Sequence, residues 1–130
     1  MTEPQTSPRP VLDSAARVRA AFVAADGRQA TDLKVLHLTP VSGFADYFLI
    51  ASGGNERQVQ AIGDAVEETL RSLGVRPLHV EGYTRGQWVL LDYGDLVVHV
   101  FLDEPRRFYA LERLWSDAPD LTAQFRPEAP

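Results

Sequence analysis

Cysteine is absent from the 130 residues, which excludes a disulfide framework, a thiolate metal site and a cysteine nucleophile. Lysine is nearly absent: Lys34 is the single lysine among 13 basic residues, a bias that fits a GC-rich genome better than any particular chemistry. Positive charge is also scarce as a cluster, with nothing larger than Arg106-Arg107, and the net charge is −5. Binding bare nucleic acid requires clustered cations facing phosphate, so sequence-specific nucleic-acid binding is not expected. An acidic surface is better suited to meeting a basic protein. No apolar run approaches the ~20 residues that span a bilayer. The first ten residues, MTEPQTSPRP, lack the apolar core of a signal peptide, so a cytoplasmic protein is expected.

What remains is ordinary for one globular domain: 45% hydrophobic and 24% charged residues. The organising stretch is Gln87–Trp115, QWVLLDYGDLVVHVFLDEPRRFYALERLW, which holds both tryptophans. Two apolar runs, Trp88–Tyr93 and Leu96–Leu102, flank Gly94-Asp95, a pair suited to a type II′ hairpin turn. In that register Trp88 faces Phe101, Leu90 faces His99 and Asp92 faces Val97, all six on one side of the sheet. Val89, Leu91, Tyr93, Leu96, Val98 and Val100 occupy the other side, which is almost wholly aliphatic and is expected to lie on the core.

Elsewhere the periodicity predicts three helices and three further strands. Residues 1–10 carry three prolines and read as a disordered tail. Val11, Ala15, Val18 and Phe22 make a helical stripe, capped at Asp13 or Ser14 and ended by Gly27. Asp32–Leu38 and Asp46–Ser52 read as strands. A long helix, Glu56–Leu73, buries Val59, Ile62, Val66, Leu70 and Leu73, with Asn55 as N-cap and Gly74 beyond its end. Val75–Val80 is a third strand whose Pro77 indicates an edge. A last helix runs from Asp103 or Glu104 to Trp115 with Phe108, Leu111 and Trp115 inward. Residues 117–130 read as a second flexible tail. The expectation is α/β: a single-domain sandwich, residues 11–116, with a five-stranded mixed sheet and flanking helices.

Catalytic constellations are weak. Ser52-Gly53-Gly54-Asn55 feeds a helix N-terminus, a place that can hold an anion, but it is neither a P-loop nor GxGxxG. Asp92 and Asp95 are the pair that metal-dependent phosphoryl or nucleotidyl transfer would use, yet they straddle a tight turn where aspartates are common. His99 with Asp92 and Ser52 lacks a nucleophile elbow. His37, His79 and His99 lie on separate strands and remain open as a three-histidine metal set. No cofactor or metal is expected. Trp88, Tyr109 and the Glu112-Arg113 pair differ: aromatics beside charges are typical interface anchors, or else they seal a core.

Five stretches, ADYFLIASG (Ala45–Gly53), RQVQAI (Arg57–Ile62), VEG (Val80–Gly82), WVLLDYGDLVVHVF (Trp88–Phe101) and RRFYALERLW (Arg106–Trp115), resemble the ribosomal silencing factor family, also called Iojap-related proteins. The turn Gly53-Gly54-Asn55-Glu56 and His37 depart from that pattern, as do the proline-rich tails. The resemblance implies a nucleotidyltransferase-like fold without catalysis. It implies binding to the large ribosomal subunit through ribosomal protein L-fourteen, a steric block to small-subunit joining under nutrient limitation, and homodimers when free. Carried across, the partner-binding residues are Trp88, Leu91, Tyr109, Leu111 and Glu112. The alternative is a metal-dependent nucleotidyltransferase-like enzyme using Asp92 and Asp95.

Overall fold

A computed structural model describes residues 13–127. Helix α1, Ser14–Gly27, starts where the Asp13 carboxylate accepts a hydrogen bond from the Ala16 N–H at 2.8 Å. Val18, Ala21, Phe22 and Ala25 form its buried stripe, while Val11 and the expected tail over 1–10 lie outside the described residues. Strands β1 (Thr31–His37) and β2 (Tyr47–Gly53) pair antiparallel. Helix α2, Glu56–Ser72, is capped by Asn55, whose side chain accepts from the Gln58 N–H. Its stripe of Val59, Ile62, Val66 and Leu70 is buried, but Leu73 falls at the C-cap and is exposed.

Strand β3 is shorter than expected, His79–Glu81, because Pro77 removes a donor from the stretch before it. Strands β4 (Trp88–Asp92) and β5 (Leu96–Leu102) form the hairpin in the register read from sequence, with Trp88 opposite Phe101, Leu90 opposite His99 and Asp92 opposite Val97. Gly94 takes the positive φ of 88° that the connection requires, and the Tyr93 N–H donates to the Leu96 carbonyl at 2.8 Å. The sheet order is β1-β2-β5-β4-β3, with β2 and β5 parallel and the other pairs antiparallel, so the sheet is mixed and five-stranded.

One face of the sheet carries Val89, Leu91, Val98 and Val100 against α1 and α2 in the larger apolar core. The opposite face carries Phe48, Ile50, Val97 and Phe101 in a smaller cluster with Leu38, Leu111 and Ala118. Two expectations fail here. The last helix is broken: α3 covers Asp103–Tyr109, α4 covers Leu111–Leu114, and Ala110 between them is left-handed at φ 45°, ψ 55°. Phe108 therefore faces solvent instead of the core, at 80% exposure.

The segment from residue 117, expected as a flexible tail, is instead packed as far as it is described. The His37 N–H donates to the Pro119 carbonyl, the Leu121 N–H to the Val35 carbonyl, and the Val35 N–H to the Thr122 hydroxyl. Helix α5, Thr122–Phe125, then sinks Phe125 into the larger core, where it meets Tyr47 edge-on. The open edge of β1 supplies the physical reason, since its unpaired backbone groups gain partners from this strap.

Candidate docking surface

The surface is built where the start of β4 meets α3. Gly82, at φ 80°, brings the preceding turn so close that a Cβ there would stand 2.0 Å from the Trp88 carbonyl oxygen. Trp88 is thereby fixed at the strand entrance. Its ring lies 4.8 Å from Phe101 and 4.6 Å from Tyr109, centroid to centroid, and Phe108 stands edge-on to Tyr109 at 5.0 Å. Trp88, Phe108 and Tyr109, with Leu102 and Pro105 and the polar side chains of Glu56, Arg85, Gln87 and Glu104, line a groove of about 680 Å³. Tyr109 is 49% exposed and its neighbour Phe108 is more exposed still. Contiguous exposed aromatic and aliphatic side chains of this kind mark binding surfaces.

Beneath the surface runs a polar brace that the sequence reading missed. Arg106 is buried and donates from Nη1 to the Ser52 hydroxyl at 2.7 Å, and from Nε and Nη2 to Glu112 Oε2, each at 3.0 Å. A buried guanidinium needs such partners, because an unpaired one carries a large desolvation penalty. The brace joins the end of β2 to both sides of the Ala110 break. Glu112 thus holds the α3–α4 elbow rather than projecting freely outward. Nothing local could reveal this, since Ser52 and Arg106 meet only through the fold.

His99 sits one layer in. It is 4% exposed, its Nδ1 accepts the Trp88 indole N–H at 3.1 Å, and the rings of Phe48 and Phe101 flank it. Burial lowers its pKa to about 3, so the imidazole is neutral. With Nδ1 accepting, the proton belongs on Nε2, which is buried and has no hydrogen-bond partner. The hairpin register held the signal: Trp88 opposite Phe101 makes His99 its diagonal neighbour on the same face.

Of the expected contact residues, Trp88 and Tyr109 reach this surface, whereas Glu112 lines a separate cleft with Asp32, Lys34, Arg106 and Arg113. Leu91 does not: at 1% exposure it packs in the helix-covered core, as the period-2 alternation of the strand requires, so it is corrected from contact residue to core residue. Leu111 is likewise buried, in the smaller cluster, and supports the surface from behind.

The residues weighed for catalysis are dispersed. Asp92 accepts from the Gly94 N–H at 2.8 Å, whereas Asp95 pairs with Arg17 on α1 at 3.0 Å. Ser52 belongs to Arg106, not to His99. His37 stacks on Tyr47, and His79 lies near Glu81 and Asp92 at the far edge. Among the described residues no three His, Asp or Glu side chains gather as a metal-holding group. The Gly54 N–H donates to Gln58 Oε1 at 2.6 Å and the Gln58 N–H to Asn55, so the start of α2 is satisfied by its own side chains. None of the described helices is long and apolar enough to cross a membrane.

The chain is similar to known proteins. The chain is 41% identical over 102 residues to the ribosomal silencing factors of Bacillus subtilis and Halalkalibacterium halodurans, covering 78% of this chain and 86% and 87% of theirs. A crystal structure of a Chromobacterium violaceum protein superposes with a TM-score of 0.79 at 31% identity, covering 81% of this chain and 88% of that one. The family described as ribosomal silencing factor during starvation matches residues 11–130, the strap included. With the mixed sheet, the hairpin and the broken last helix all inside that span, the chain belongs to the ribosomal silencing factor family.

Proposed function

We propose that the protein represses translation in the cytoplasm as a steric plug. It docks on the large ribosomal subunit through ribosomal protein L-fourteen and blocks joining of the small subunit. Family membership supports a ribosome-associated silencing role. The observation that carries the docking reading is the exposed aromatic groove of Trp88, Phe108 and Tyr109 on a rigid strand–helix junction. The weighed catalytic side chains are engaged in turns, braces and ion pairs, which favours a binding protein over an enzyme. Net charge of −5 suits a basic protein partner and disfavours nonspecific contact with RNA.

The test is co-sedimentation of the protein with isolated large subunits, followed by addition of small subunits. Stoichiometric binding with fewer joined ribosomes is expected. Tyr109→Ala should weaken binding by at least ~2 kcal/mol, about thirty-fold, as interface anchors do. Binding by Trp88→Ala and Tyr109→Ala at the parent's affinity would show that the partner docks elsewhere.

A further inference from the structure

His99 is a buried titratable group that no step of the silencing reading uses. Leucine or phenylalanine at this position would bury no polar atom, yet the histidine keeps Nε2 inside without a partner. Burying an unpaired donor is unfavourable, and such a group in a folded protein calls for an explanation. Among the described residues, the polar contact of the ring is the 3.1 Å bond from the Trp88 indole.

We infer that His99 is a positioning residue of the docking surface: it takes up the indole N–H of Trp88, fixes the ring between Phe101 and Tyr109, and leaves the partner an indole with no donor to offer. The inference rests on the docking reading above. Trp88 is only partly buried, and its indole lies within contact range of both neighbouring rings. Without an internal acceptor the indole N–H would seek water or a partner carbonyl, and the ring would turn. With His99 in place the matching patch on the partner is one that packs flat on rings, aliphatic side chains or cationic stems, and not one that presents a hydrogen-bond acceptor. Neutrality makes the acceptor permanent. The groups facing the imidazole are the rings of Trp88, Phe48 and Phe101, none of which titrates.

The experiment compares His99→Leu, which removes the acceptor, with His99→Asn, which keeps an oxygen near the Nδ1 position. Affinity for isolated large subunits is measured beside the melting temperature and the indole N–H resonance of Trp88, assigned through Trp88→Phe. His99→Leu should bind at least tenfold more weakly with an unchanged or higher melting temperature and a displaced indole resonance. His99→Asn should stay within threefold of the parent. In the His99→Leu background, Trp88→Phe should cause little further loss, because the two residues act as one unit. A purely structural histidine would instead lower melting temperature and affinity together. His99→Leu binding within twofold of the parent, with the indole resonance moved, overturns the inference. If Trp88→Ala also binds like the parent, the docking reading itself falls. Should His99→Leu not fold, His99→Met takes its place in the same comparison.

Discussion

The two faces of the sheet are built to different rules. The face under α1 and α2 is mainly aliphatic and closed, with Val89, Leu91, Val98 and Val100 meeting Val59, Ile62 and Val66 and the Tyr93 hydroxyl as a buried polar atom at its margin. The other face mixes rings with polar atoms: Trp88 and Phe101 toward one end, Phe48 with Trp115 toward the other, and His99 between them. It is covered by Arg106 of α3, Leu111 of α4 and the following Trp115 and Ala118, and it opens beside Trp88 and Tyr109. The first face makes the domain stable, and the second trades part of that closure for an exposed aromatic groove. Adjacent positions of one strand, Trp88 and Val89 or Leu90 and Leu91, belong to opposite tasks.

The contrast is sharpest at β4. Leu91→Ala should cost about 2–5 kcal/mol of stability, read by denaturant unfolding, while the fraction that stays folded binds large subunits normally. Tyr109→Ala should show the reverse, with stability changed by less than about 1 kcal/mol and affinity lowered as stated above. A Leu91→Ala variant that loses affinity without losing stability would break the division between the faces.

Acid tests the aromatic face through His99. Its pKa falls from 6.5 in the unfolded chain to about 3 in the fold, so between those values the unfolded state binds the extra proton. Stability from this group is complete above pH 6.5 and is lost as pH drops toward 3, at up to about 1.4 kcal/mol per pH unit. Unfolding midpoints across that window should show the slope, and His99→Leu should flatten it. The smallest effect belongs to the elbow. Ala110→Gly relieves a left-handed backbone and should stabilise by up to about 1 kcal/mol in thermal unfolding.

Legibility followed the range of the interaction. The hairpin register was readable because Gly94-Asp95 sets it locally and every alternate residue then follows. The caps at Asp13 and Asn55 were readable for the same reason. The break at Ala110 was not: FYALERLW has no glycine or proline, and continuous helix is its local preference. What overrides that preference is the Arg106 brace to Ser52 and Glu112, a contact made only in three dimensions. Phe108 was misplaced as a consequence, since its inward position assumed an unbroken helix. The strap from Pro119 to Phe125 was hidden likewise, because two of its three bonds to β1 use backbone carbonyls and N–H groups that carry no side-chain signature.

The strap also imposes an order in time. Val35 and its partner Thr122 lie 87 residues apart, and N-terminal segments leave the ribosome first. Strand β1 must therefore wait with its outer edge bare until Leu121 and Thr122 have been made, and central β5 arrives after both edge strands, β1 and β3. The sheet fills from the outside inward, so a chain that stops before Leu121 would keep a sticky edge, and self-association of truncated products is its natural failure.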